Sequence, residues 1–169
     1  MEQTLTMTQA APADLPAVWA LCCQVVQKVP GCGWSAEYPT REYFKRDIEA
    51  GSLYLIKLAG ALVSIMHICP WGEYAKGEEA LNQGWNEEVK NPCALGRFCV
   101  APSLQGQGLG RKCMQKSLEK AKQLGYDGVR FHAVVDNPIA CHLYDSMGFH
   151  HAGLVHEFGK DFACYEKTL

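Results

Sequence analysis

The chain has 169 residues, 48% of them apolar, and a formal net charge of -2. That length suits one domain, residues 1–169, with a core of real size. No long block of like charge occurs, which excludes a basic nucleic-acid surface or an acidic tail, and no run is apolar for long enough to span a bilayer. The N-terminus shows no basic start followed by an apolar run. A cytoplasmic protein with small-molecule partners is expected, with neither nucleic acid nor membrane among them.

Taken in chain order, Thr4 to Ala10 reads as a strand, and Pro12-Ala13-Asp14 is a turn with Asp14 as helix cap. Leu15, Val18, Trp19, Cys22, Val25 and Val26 recur at helical spacing up to Lys28. Thr40 opens a second helix through Glu49, closed by Gly51. Ser52–Leu58 and Ala61–Cys69 form a hairpin about Ala59-Gly60. Residues 70–92 then turn acidic and aromatic, with Trp71, Glu73, Tyr74 and Trp85, and read as a partly helical insertion on the surface. Ala94–Ala101 is a strand. Leu109, Cys113, Met114, Leu118, Ala121 and Leu124 line one face of a helix that Gly125 ends. Val129–Val135 is a strand, Asn137-Pro138 starts a helix ending at Gly148, and His150–Leu169 supplies two more strands.

Strand, helix, strand in the middle implies a parallel pair inside an otherwise antiparallel sheet. The fold class is therefore α+β, a mixed six- or seven-stranded sheet flanked by about four helices. Nine cysteines are an odd number at irregular spacing without a Cys-x-x-Cys pair. Cys69, Cys93, Cys99, Cys113, Cys141 and Cys164 sit among apolar neighbours, which points to buried thiols in a reducing compartment and to no metal site.

The sequence Gln105-Gly106-Gln107-Gly108-Leu109-Gly110 lies between a strand and a helix. Backbone N–H groups there can point at an anion on the positive end of the helix. A P-loop needs Lys then Ser or Thr after its last glycine, whereas Arg111-Lys112-Cys113 follows here. A dinucleotide fingerprint needs glycine at position 111, which is Arg. A second polar turn, Asp136-Asn137-Pro138, lies on the same edge, where open sheets place their ligands.

Gln105, Gly108 and Gly110 match the acyl-CoA signature of the GNAT superfamily, the Gcn5-related N-acetyltransferases. Asn137, Ala140, Tyr144 and Gly148-Phe149 match a second pattern of that family in register, and the element order resembles it over nearly the whole chain. The resemblance implies a central parallel pair splayed at its carboxyl ends, with acetyl-CoA as cofactor. It implies cofactor contacts from Phe98, Cys99 and Val100 through their main chain, from Gln105, Gly106, Gln107, Gly108, Leu109, Gly110 and Arg111 at the pyrophosphate, and from Asn137 and Tyr144. Tyr144 would be the general acid for the departing thiolate.

The carboxylate that many relatives carry before the glycine loop aligns with Ala94 and Gly96, so the base stays open among Glu37, Glu73 or Asp136 acting through water, His67 or His132, and no base at all if the amine arrives neutral. Cys99 invites a covalent route, but no histidine spacing activates it, and direct transfer in a ternary complex is favoured. Arg97 reads as a structural ion-pair residue before a substrate one. The acceptor, a primary amine of a small molecule or peptide, is expected against Trp34, Glu37, Tyr38, Trp71 and Glu73, with Glu157 nearby. The competing reading is a non-catalytic acyl-CoA sensor. Oligomeric state is left open, a homodimer included.

Overall fold

A computed structural model describes residues 4–169. The chain divides into two compact units, Met1–Ile68 with Gly96–Ser117, and Cys69–Leu95 with Leu118–Leu169.

In the first unit β1 (Leu5–Gln9), β2 (Leu53–Leu58) and β3 (Ala61–Pro70) form an antiparallel meander. Ala59 and Gly60 both have positive φ, 49° and 83°, as a tight hairpin turn requires. Helix α1 (Leu15–Lys28) buries Val18, Leu21, Cys22 and Val25, and α2 (Arg41–Glu49) buries Phe44 and Ile48. These join Leu53, Leu55, Ile65 and Cys99 in one core. Asp14 does not cap α1: its backbone is already helical and its carboxylate instead accepts from the Ala11 N–H at 2.8 Å, closing the preceding turn.

The second unit packs β5 (Gly128–Val134), β6 (His150–Glu157) and β7 (Lys160–Thr168), with helix α6 (Pro138–Ser146). β7 pairs antiparallel with both β5 and β6. β4 (Pro92–Val100) runs parallel to β5, pairing from Pro92 to Ala94 against Gly128 to Arg130. The strand order is β1-β2-β3-β4-β5-β7-β6, the mixed sheet expected from the order of elements at the larger of the two strand counts.

The acidic stretch is partly helical, as its composition suggests, in α3 (Trp71–Tyr74) and α4 (Glu78–Leu81). It lies on the surface, most of its residues exposed, and is anchored at a few points. Trp71, Ala75, Ala80 and Val89 are buried, Gly84 N–H donates to Ala152 C=O at 2.8 Å, and Asn86 N–H donates to Glu166 Oε1 at 2.7 Å. Aromatic side chains outweigh the glutamates because they can bury area while the carboxylates turn outward.

Helix α5 (Leu109–Gln123) begins in the first unit, where Leu109 and Cys113 pack on Ile56, Val63 and Val100. Gly125, with φ of 92°, ends it as the sequence suggests.

Candidate functional site

The glycine loop is built by a short turn followed at once by α5. After β4, Pro102–Leu104 makes one 3-10 turn, and Gly106 and Gly108 both take positive φ, 75° and 76°. An added Cβ at either glycine would meet nothing within 4 Å, so the backbone conformation, not crowding, selects glycine there. Gln105 to Gly108 are exposed while Leu109 is buried, which anchors the helix and leaves its first turn open. The first N–H groups of an α-helix form the positive end of its dipole, where an anion is favoured. The Gln105 side chain donates to Val100 C=O at 3.0 Å and ties the loop to the end of β4.

Along β4 the carbonyl of Cys99 accepts from Ser64 Oγ at 2.6 Å, and Ala101 N–H donates to Val63 C=O at 2.8 Å. These bonds face β3. Successive main-chain groups of a strand alternate, so Phe98 and Val100 direct theirs to the other edge. The Cys99 thiol is buried, and burial pushes its pKa far up. A thiol held in that state supplies no thiolate, in line with direct transfer.

Arg97 has a positive φ of 47° inside the strand. Its guanidinium binds both carboxylate oxygens of Asp47, with Nη2 to Oδ1 at 2.6 Å, donates to Tyr38 Oη at 3.2 Å and lies over the Tyr43 ring. Burial works against the Arg97 charge, and the bond to Asp47 outweighs it, raising the pKa. Asp47 also lies 3.5 Å from His67 Nε2. Burial, helped by Arg97 and opposed by Asp47, lowers His67 to about 4, so its ring is neutral at pH 7. Asp47 carries no sequence signal, because an acidic residue in an amphipathic helix reads as solvent-facing until a partner fifty positions away is placed beside it.

In the second unit Asn137 caps α6, its side-chain oxygen accepting from Ala140 N–H at 3.3 Å, with Pro138 in the first turn. Tyr144 is buried to 7% exposure, with ring centroids 4.7 Å from Phe131 and 5.3 Å from Tyr165. Burial raises its pKa, so the phenol keeps its proton at neutral pH.

The residues expected around the acceptor separate by environment. Trp34 packs edge-on to Phe44 at 6.4 Å against the first unit's core, while Glu37 is exposed and Tyr38 is half-exposed beside Arg97. Trp71 is buried, stacked on Tyr74 at 5.5 Å, and Glu73 is exposed. The sequence offers His132 only as one of several bases, yet its ring contacts Trp71 and Tyr74 at 5.8 and 5.6 Å and its Nδ1 lies 3.6 Å from Glu157 Oε2. Among the described residues no group of His, Cys, Asp and Glu is arranged to hold a metal ion, and no helix is long and apolar enough to cross a membrane.

The fold is shared with several solved structures. A GNAT-family acetyltransferase from Streptococcus agalactiae superposes with a TM-score of 0.81 at 17% identity, over 98% of this chain and 95% of that one. A putative acetyltransferase from Salmonella typhimurium, solved with its cofactor acetyl-CoA, gives 0.70 at 18% identity, over 98% and 94%. A ribosomal-protein-alanine N-acetyltransferase from Brucella melitensis gives 0.70 at 20% identity, over 97% and 99%. No curated protein matches by sequence. The family model described as the acetyltransferase (GNAT) family matches residues 19–149, most of the chain and both motif regions, and the chain therefore belongs to the GNAT acetyltransferase family.

Proposed function

We propose that this chain transfers the acetyl group of acetyl-CoA to a primary amine by direct attack. The observation that carries the reading is the exposed glycine loop opening α5, whose two left-handed glycines free backbone N–H groups to receive a pyrophosphate. The cofactor supplies an acetyl thioester, activated toward nitrogen nucleophiles. Gln105 to Arg111 hold the phosphates through main-chain N–H groups. The main chain of Phe98 and Val100 on the free edge of β4 pairs with the pantetheine arm, and one N–H there polarises the thioester carbonyl, an effect typically worth about 3 kcal/mol. As the new C–N bond forms and the C–S bond breaks, the amine gives up a proton and the departing sulfur takes one from the Tyr144 hydroxyl. Its raised pKa keeps that proton in place before the step. Asn137 caps α6 and thereby fixes the helix that carries Tyr144.

The test is thiol release from acetyl-CoA in the presence of a panel of primary amines. Amine-dependent release is expected, with kcat lowered about 10²- to 10⁴-fold in Tyr144→Phe and CoA affinity nearly unchanged. Equal loss of turnover and affinity would remove Tyr144 as the acid. Tight CoA binding with no release from any amine would leave a binding module.

A further inference from the structure

In β5 successive side chains alternate between the two faces of the sheet. Phe131 points to the face that carries Tyr144 and Tyr165, whereas Arg130 and His132 point to the opposite face, beneath Trp71, Tyr74 and Trp85. The His132 side chain is only 3% exposed, yet neither ring nitrogen has a hydrogen-bond partner among the described residues. Buried polar atoms are rarely left so, and two on one ring call for an occupant.

The surroundings define what that occupant is. Glu157 Oε2 stands 3.6 Å from His132 Nδ1, too far for a direct bond, on a side chain 36% exposed to solvent. One Glu79 oxygen accepts from the N–H of His156, the residue before Glu157, at 3.2 Å. Glu157 stands opposite Lys160 in the β6–β7 register and lies near the His132 ring. The nearby Arg130 charge is already matched by Glu166 at 2.6 Å. Burial lowers the His132 pKa against the pull of Glu157, so the ring is neutral and offers a lone pair. Two carboxylates, a neutral imidazole acceptor and the stacked rings of Trp71 and Tyr74 suit an organic ammonium group.

We propose that Trp71, Tyr74, Glu79, His132 and Glu157 form a receptor for an ammonium group of the acceptor that is not the nitrogen acetylated. Negative neighbours stabilise the protonated form of whatever amine they hold, and a protonated amine has no lone pair with which to attack. The group kept here is therefore a second cation, and the acceptor is a diamine or a longer polyamine. This deepens the acetyltransferase reading and, in its kinetic part, rests on it.

The experiment has two arms on the full chain. In the first, kcat/KM is compared for 1-aminobutane and 1,4-diaminobutane with acetyl-CoA. The diamine is expected to be preferred about 10- to 100-fold by the wild type, and the preference to fall several-fold or more in Glu157→Gln and in Glu79→Gln. Both substitutions are isosteric and lie at side chains in contact with solvent, so the fold survives them. In the second arm, titration calorimetry follows 1,4-diaminobutane binding without cofactor, with 1-aminobutane as the weaker probe, in the same variants. Amine turnover with no diamine preference refutes the receptor while leaving acetyl transfer standing. Diamine binding that both glutamate variants weaken, without turnover of any amine, supports the receptor and refutes the transfer. Binding of equal strength in wild type and variants overturns the proposal in either case.

Discussion

Gly108 offers a sharp test of the phosphate loop, because its only demand on the sequence is conformational. Its φ is 76° and a Cβ would meet nothing within 4 Å, so Gly108→Ala introduces backbone strain and no clash. An L-residue in the left-handed region costs about 1–2 kcal/mol. The strain must show in one of two places. If the exposed loop relaxes in the free protein, acetyl-CoA has to restore the left-handed turn on binding, and affinity falls about 5- to 30-fold at unchanged stability. If the packing of Leu109 holds the loop in place, stability to urea falls by about 1–2 kcal/mol and affinity is kept. The two losses together should account for the strain. Gly125→Ala is the control: its φ is 92° with nothing within 4 Å, but it closes the far end of α5, so it costs stability and leaves affinity alone. Titration calorimetry with CoA and urea unfolding on the three proteins decide. Gly108→Ala indistinguishable from wild type in both measurements would refute the reasoning, as would an affinity loss in Gly125→Ala of equal size.

Buried charges give two further expected outcomes. His67 is neutral in the fold with its pKa depressed from 6.5 to about 4, so the unfolded chain binds its proton first. Stability should therefore fall by up to about 3 kcal/mol as pH drops from 6.5 towards 4, and urea unfolding of His67→Gln should lose that part of the slope. Glu166, only 2% exposed, neutralises Arg130 and also accepts the Asn86 N–H. Glu166→Ala should cost about 3–5 kcal/mol by stranding the Arg130 charge, and should raise hydrogen exchange at the Asn86 amide; a loss under about 1 kcal/mol would contradict the account.

The sequence is legible where a local rule decides the outcome. The bounds of α1 come from apolar spacing, the end of α5 from Gly125, and the start of α6 from Asn137 and Pro138, because each depends on neighbours within one or two turns. Motif spacing locates the glycine loop for the same reason. Asp14 misleads because two turns compete for one carboxylate, and the nearer Ala11 N–H takes it. In the 71–91 stretch the surface position is legible but the anchoring is not: Trp71, buried, and Tyr74 and Trp85, partly buried, find partners in His132 and Arg130, far along the chain. Nor does any local pattern mark Asp47, whose importance exists only once β4 brings Arg97 beside it.

Arg97 shapes β4 next to Gly96, one of the two positions where the family resemblance implies a carboxylate. A left-handed residue inside a strand interrupts the alternation of its main chain, as in a bulge, and re-aims the residues after it. The strain, about 1–2 kcal/mol for an L-residue, is offset by the two-pronged bond to Asp47 and by Tyr38 and Tyr43 around the guanidinium. Gly96 lies just before this residue and carries no side chain, while the Asp47 carboxylate is committed to Arg97. Asp47 is thus a positioning residue for the strand and not a proton acceptor. On the acetyltransferase reading the attacking nitrogen has to lose its proton before the step. That is easier for a diamine than for a monoamine, since repulsion from the retained cation lowers the pKa of the second nitrogen. A receptor that holds one ammonium charged therefore helps to deliver its neighbour neutral, and lightens the demand on whichever group takes the proton.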